Sequence, residues 1–215
     1  MNSTILSSKV DNKDKQLRIG LAGLGNVGAG VYKNLHKNQF LLNDRTGMEL
    51  VVQKVAVRNP DRKRDVEVPS ELITTQWQDL VGDPEIDIIV ELIGGVDEAY
   101  DLITAALNAN KAVVTGNKAV LAERGKELIE LSEKQNTPLY CEAAVAGGIP
   151  IIKAVKEALI GNRITSIFGI INGTSNYILT RMTNAGITFE DALTEAKEKG
   201  YAESDPSLDL SLIHI

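Results

Sequence analysis

Ile19-Gly20-Leu21-Ala22-Gly23-Leu24-Gly25-Asn26-Val27-Gly28 is a short apolar run that feeds directly into a turn with three glycines, and a helix-like segment follows to Leu35. That order reads as strand, tight turn and helix. Glycines at this spacing have distinct duties. The first lets the chain reverse sharply, the second lets the main chain approach a pyrophosphate, and the third lets helix and strand pack closely. Amides at the start of the helix then face the phosphates. A Gly-rich bend that holds no ligand has the same local pattern, but the placement straight after a strand near the start of the fold favours the dinucleotide reading.

Working outward, Val27, Val31, Leu35 and Leu41 recur at helical spacing among Lys33, Asn34 and Lys37, which predicts an amphipathic helix through about Phe40. Asn43 to Gly47 is expected to break it. Leu50 to Val57 alternates as a second strand. At its tip stands Arg58, followed by Asn59, Pro60, Asp61, Arg62 and Lys63. The second strand of such a fold ends on the residue that meets the adenosine ribose. The planar, permanently charged guanidinium of Arg58 suits the 2′-phosphate of NADP, while Asp61 leaves NAD open and a solvated loop charge is the plainer alternative. Leu72 to Leu80 reads as a short strand or loop with a turn, and Trp77 in it as packing.

Ile86 to Ile93 is apolar enough for a parallel strand buried on both faces, and Ile93 and Gly94 at its end are expected beside the dinucleotide. Asp97 to Asn108 reads as a crossover helix and Lys111 to Thr115 as a strand. Asn117 is expected to cap a long helix to about Asn136. Lys118 falls in the first turn of that helix, where the dipole disfavours a cation. A bound phosphate, carboxamide or carboxylate would explain it, as would plain solvation. Pro138 to Tyr140 is a last short strand, and the small residues from Glu142 to Ile152 imply close backbone approach or exposed carbonyls. There the alternation stops. The expected organisation is an N-terminal flexible segment (1–16), a Rossmann-type α/β domain with a parallel sheet (17–146), and an incomplete α+β domain (147–215).

In that second part the pattern predicts a helix over 151–159, a β-branched strand from Ile164 to Ile171 whose open edge invites association, and helices from Asn172 to Met182 and Thr188 to Lys199. The acid-rich loop with Glu203, Asp205 and Asp209 fits a metal site, an amine grip or a solvated turn, and spacing leaves the three open.

The chain has 215 residues, 43% of them hydrophobic, and a net charge of -6, which is ample for a core and argues against a nucleic-acid surface. Cys141 is the only cysteine, so a reducing, cytoplasmic setting is expected. No apolar run is long enough to span a membrane.

Several stretches together resemble the homoserine dehydrogenases. They are the glycine turn, Glu91-Leu92-Ile93-Gly94-Gly95, Val114 to Ala119, Glu142 to Pro150, Asn172-Gly173-Thr174-Ser175-Asn176-Tyr177, and Gly200-Tyr201-Ala202-Glu203-Ser204-Asp205-Pro206. The last two are the specific ones. The resemblance implies NAD(P)H-dependent, reversible reduction of L-aspartate 4-semialdehyde to L-homoserine, a step toward threonine, methionine and isoleucine, by a homo-oligomer when full length. It places Lys118 by the nicotinamide and a small-molecule substrate, Glu203 on the substrate amino group and Asp209 at the substrate. It also implies a monovalent cation such as Na+ held by the loop of Glu142, Val145, Gly147 and Ile149, mostly through main-chain oxygens, in a structural role. After Asp209 the family continues with a glycine, an aspartate and a proton-donor lysine, whereas this chain reads Leu210-Ser211-Leu212-Ile213-His214-Ile215. Neither the aspartate nor the lysine is present. The sequence therefore reads as truncated with a divergent tail, and His214 lacks the positioning a general acid needs.

Overall fold

The computed structural model describes residues 16–170 and 172–202. The expected flexible segment up to residue 15, Glu203, Asp205, Asp209 and the tail lie outside the described residues; Gln16, expected in that segment, opens the first strand. The chain divides into two compact units, with the division along the sequence between Ile149 and Pro150.

The first unit alternates strand and helix: β1 (Gln16–Ala22), α1 (Asn26–Lys37), α2 (Gln39–Thr46), β2 (Glu49–Ala56), β3 (Ile73–Thr74), α3 (Gln78–Val81), β4 (Ile88–Glu91), α4 (Asp97–Asn108), β5 (Ala112–Thr115), α5 (Lys118–Gln135) and β6 (Leu139–Tyr140). All six strands are parallel, in the order β3-β2-β1-β4-β5-β6. The chain builds outward from β1 in one direction and then in the other, so the topology switches between β1 and β4, and ligands of such sheets bind in the crevice there.

Period-two alternation explains why both faces are dry. On β1, Ile19 and Leu21 pack with Tyr32 of α1, Val52 and Val55, while Ala22 faces the opposite layer. On β4, Val90 joins the first cluster and Ile89 the second, with Leu80, Leu102, Ile103, Leu107, Val120 and Leu128 from α3, α4 and α5. Helices therefore cover both sides of the sheet, which is what a near-continuous apolar strand such as β4 requires.

One helix expected through Phe40 is two. It ends at Lys37, where Asn38 donates its main-chain N–H to Asn34 O and its side-chain amide to Asn34 Oδ1. Asn43 to Thr46, expected to break the helix, instead belongs to α2, and the stop falls at Gly47 with φ +67°. A left-handed cap of this kind costs glycine nothing. The buried side of α1 is Gly28, Ala29 and Tyr32, while Val27, counted in the apolar stripe, is 65% exposed.

The second unit contains α6 (Ile151–Lys153), which runs into a π turn at Ala154–Ala158, then α7 (Gly173–Ala185) and α8 (Phe189–Glu198). Asn172 and Thr188 cap the two longer helices by accepting from Ser175 N and Asp191 N. Ile178, Ala192 and Ala196 are buried between them. Across the outside of this hairpin Glu195 accepts from Arg181 and Lys199, both at 2.7 Å, and these cations hold its carboxyl at about 2. The expected strand at 164–171 is a correction. Its described residues, 164–170, form no strand, and Ile167, Phe168 and Ile170 are exposed. A strand needs a neighbour for its main-chain groups, and among the described residues of this unit there is no other strand.

Candidate functional site

The carboxyl ends of β1, β4 and β5 stand level, with Ala22 opposite Glu91 and Glu91 opposite Thr115. From these three ends leave the glycine turn, the loop Leu92 to Val96, and the start of α5.

Each glycine of the turn meets a different constraint. Gly23 has φ +97°, and a Cβ there would lie 2.4 Å from Leu92 O. The turn therefore lies against the main chain of the β4 loop. A Cβ on Gly28 would stand 2.1 Å from Gly23 O, so α1 packs on the turn with no room for a methyl group. Gly25 is the opposite case: a Cβ there would meet nothing within 4 Å. It is exposed, it precedes the first turn of α1, and among the described residues no side chain caps that helix, as none caps α2, α3 or α4, while Asn117, Asn172 and Thr188 cap α5, α7 and α8. Open space above uncapped amides at the positive end of a helix dipole fits a phosphate group. The residues present thus fit the diphosphate of a dinucleotide.

Beside this opening is a cavity of about 210 Å³ whose lining includes Leu24, Gly25, Asn26, Gly30 and Lys33 of the turn and α1, and Arg62, Lys63, Arg64 and the acid Asp65 of the loop after β2. Arg64 organises the basic loop, since its guanidinium donates to the carbonyls of Asn59, Pro60 and Arg62. Arg58 is not among the residues lining this cavity. It pairs with Glu98 in the first turn of α4, and that carboxylate raises its pKa. Lys33, Arg62 and Lys63 are the cations that the reading of the sequence did not assign to a site. The clustering of Arg62 and Lys63 after β2 was visible as composition, but their convergence with Lys33 of α1 on Gly25 depends on how the loop folds back.

Ile93 and Gly94 lie at the end of β4, and Gly94 and Gly95 are both left-handed, at φ +73° and +74°. Lys118 is exposed at the first turn of α5. Glu91, which is fully buried, sits beneath both segments: its Oε1 accepts from Ile93 N at 2.9 Å and its Oε2 from the Thr115 hydroxyl. The Asn117 amide donates to Gly95 O at 2.7 Å while its Oδ1 caps α5. An acid inside the apolar run Ile86 to Ile93 was the sequence signal for this network.

The loop of Glu142, Val145, Gly147 and Ile149 begins as a 3-10 turn at Glu142–Ala144. Ala146 and Gly147 are then left-handed, at φ +54° and +60°. Among the described residues no group of three or more His, Cys, Asp or Glu side chains forms a metal site, and no helix is long and apolar enough to cross a membrane.

Comparison with known proteins agrees with this geometry. The family profile described as "Homoserine dehydrogenase, NAD binding domain" matches residues 23–142, and the profile "Homoserine dehydrogenase" matches residues 150–214, so the match takes in most of the tail that the sequence sets apart. A homoserine dehydrogenase of Synechocystis sp. is 47% identical over 194 residues, 90% of this chain and 44% of that protein. The crystal structure of a homoserine dehydrogenase from Thiobacillus denitrificans superposes with a TM-score of 0.82 at 46% identity, covering 91% of this chain and 45% of that one. A hyperthermophilic archaeal homoserine dehydrogenase solved in complex with NADPH gives a TM-score of 0.74 at 29% identity, with 91% and 65% covered. The chain thus spans about half the length of the bacterial relatives it matches. A six-stranded parallel sheet switching at β1 and β4, a three-glycine turn in which each glycine meets its own constraint, and a profile match through most of the first unit lead to one assignment: the chain belongs to the homoserine dehydrogenase family.

Proposed function

We propose that this chain carries the nucleotide-binding part, and a portion of the substrate-binding part, of an NAD(P)-dependent enzyme that interconverts L-aspartate 4-semialdehyde and L-homoserine. Residues 17–146 bind the nucleotide and residues 147–215 contribute to the substrate domain. The observation that carries the reading is the open, uncapped start of α1 at Gly25, the one glycine of the turn that packs on nothing. When bound, the nicotinamide supplies a hydride. The chain's own residues bind and orient: amides from Leu24 to Gly28 take the diphosphate, Ile93 and Gly94 border the nicotinamide side, and Lys118 offers a cation to a carbonyl or carboxylate. By family resemblance alone, Glu203 answers the substrate's ammonium and Asp209 helps bind the substrate.

The preferred nucleotide is NADP, because Lys33, Arg62 and Lys63 bring cations to the wall beside Gly25. Arg58, exposed just after β2, offers its guanidinium to the 2′-phosphate. A monovalent cation is held by main-chain oxygens between Glu142 and Ile149, in the loop where Ala146 and Gly147 are consecutively left-handed; hard oxygen donors suit such an ion. The setting is cytoplasmic, and a full-length protein is a homo-oligomer.

A second reading rests on the sequence after Asp209, which departs from the family pattern where the proton-donor lysine is expected. On that reading the 215-residue chain binds nucleotide without turnover. Homoserine-dependent reduction of NADP+ beside an NADPH titration separates the two. Turnover supports the enzyme reading, binding without turnover supports the second, and no binding refutes both.

A further inference from the structure

Glu91 is the most buried acid among the described residues of the first unit, and among them no cation pairs with it. Its neighbours donate to it instead: the Ile93 main-chain N–H at 2.9 Å and the Asn117 side-chain amide at 3.5 Å reach Oε1, and the Thr115 hydroxyl reaches Oε2. Thr115 Oγ1 in turn accepts from Asn117 N at 3.0 Å, which leaves its proton for Glu91. Asn117 completes the ring by holding Gly95 O and capping α5 through Ala119 N and Val120 N. Glu91, Thr115 and Asn117 are all under 10% exposed. A buried acid in the middle of a parallel sheet is costly unless every lone pair has a use. Here it joins two loops that no ladder hydrogen bond connects, the Ile93-Gly94-Gly95 segment with its two left-handed glycines and the first turn of α5 with Lys118.

We infer that Glu91 is a positioning residue: through Thr115 and Asn117 it clamps the β4 loop to the start of α5, so that the main chain at Ile93 and the ammonium of Lys118 are held ready for the nicotinamide half of the nucleotide. This rests on the proposed nucleotide binding and adds the device that fixes its reactive side. Burial of a ring edge against a loop that samples several conformations would spend binding energy on ordering it. The clamp removes that cost in advance.

The test compares Thr115→Val, Thr115→Ser and Glu91→Gln in the 215-residue chain by NADPH titration, thermal unfolding and amide hydrogen exchange at Ile93 and Val120. Valine keeps the shape of threonine but leaves Glu91 Oε2 without its donor and Asn117 N without its acceptor. Serine restores both. Glu91→Gln keeps the length and presents an NH2 where a donor already points. The expected result is NADPH binding weaker by roughly tenfold or more in folded Thr115→Val and Glu91→Gln, the scale of one buried group left unpaired. Exchange at Ile93 and Val120 rises together, and Thr115→Ser returns to wild-type behaviour. A merely structural role would lower the melting temperature and leave the affinity of the folded molecules unchanged, and that result overturns the inference. If Glu91→Gln does not fold, the Thr115 pair decides. If the wild-type chain itself fails to bind NADPH, the nucleotide reading falls first and the clamp falls with it, an outcome distinct from normal binding in the variants.

Discussion

Gly28→Ala and Gly25→Ala place the same methyl group three residues apart and should have opposite consequences. At Gly28 the new Cβ would stand 2.1 Å from Gly23 O and 2.9 Å from Gly23 C. An ordinary C···O contact is about 3.3 Å, so α1 must withdraw from the turn by about 1 Å. The obstacle is main chain, already pinned by Gly23 N donating to Ala56 O at 2.9 Å, and cannot swing aside. Overpacking of this kind costs about 1–3 kcal/mol, and the upper part of that range applies because nothing flexible can yield. Against it stands the better helix propensity of alanine, worth up to about 1 kcal/mol. The net loss is about 1–2 kcal/mol. At Gly25 the methyl group meets nothing within 4 Å, and φ -77°, ψ -162° is a backbone open to alanine. Stability should change by less than about 0.5 kcal/mol, as for a surface site. The methyl group does occupy the space over the uncapped amides, so NADPH affinity should fall by about tenfold or more, the scale of one lost charge-assisted hydrogen bond. Urea unfolding followed by Trp77 fluorescence and NADPH titration of both variants supply the two readouts. A Gly28→Ala variant as stable as wild type, or a Gly25→Ala variant that binds NADPH normally, refutes the assignment of roles within the turn.

Replacing Arg62 and Lys63 by glutamine should weaken NADPH binding by about tenfold and leave NADH binding unchanged, because only the former carries the phosphate that these cations answer; equal losses for both nucleotides contradict it. In the second unit, Glu195 titrates at about 2 against an ordinary 4.5 because Lys199 and Arg181 donate to it. Its folded-state value is depressed, so its stabilising contribution is complete above pH 4.5 and is lost as the pH falls toward about 2. Melting temperatures of wild type and Glu195→Gln across that window should converge at the acid end, and parallel curves would count against the ion pairs. Thr188→Ala removes the acceptor for Asp191 N at the start of α8 and should cost about 1 kcal/mol in urea unfolding; no loss would mean that the cap is idle.

The sheet was legible because its signals are local. Alternation in Leu50 to Val57, the apolar run Ile86 to Ile93 and Asn117 ahead of a long amphipathic segment each announce an element within a few residues. The glycine turn was legible for the same reason. What the sequence hid depends on partners far along the chain. Arg58, expected from its place at a strand tip to meet the ribose end of the nucleotide, also pairs with Glu98, forty positions on, a partner that no local pattern announces. Arg62 and Lys63 reach the lining beside Gly25 on a loop that Arg64 organises by binding its carbonyls, while Lys33 comes from α1. The helix break at Asn38 goes with a side-chain bond to Asn34 that no propensity records. The β-branched content of 164–170 predicted a strand correctly in chemistry and wrongly in outcome, since pairing requires a neighbour as well as a suitable sequence.

Amide chemical shifts of the 215-residue chain, recorded while NADPH is added, test the central claim most directly. The account predicts saturable shifts at Leu24 to Gly28, at Ile93 to Gly95 and at Lys118, with the amides of α8 unmoved. Shifts confined to other surfaces, or none at millimolar nucleotide of about physiological order or above, would contradict it.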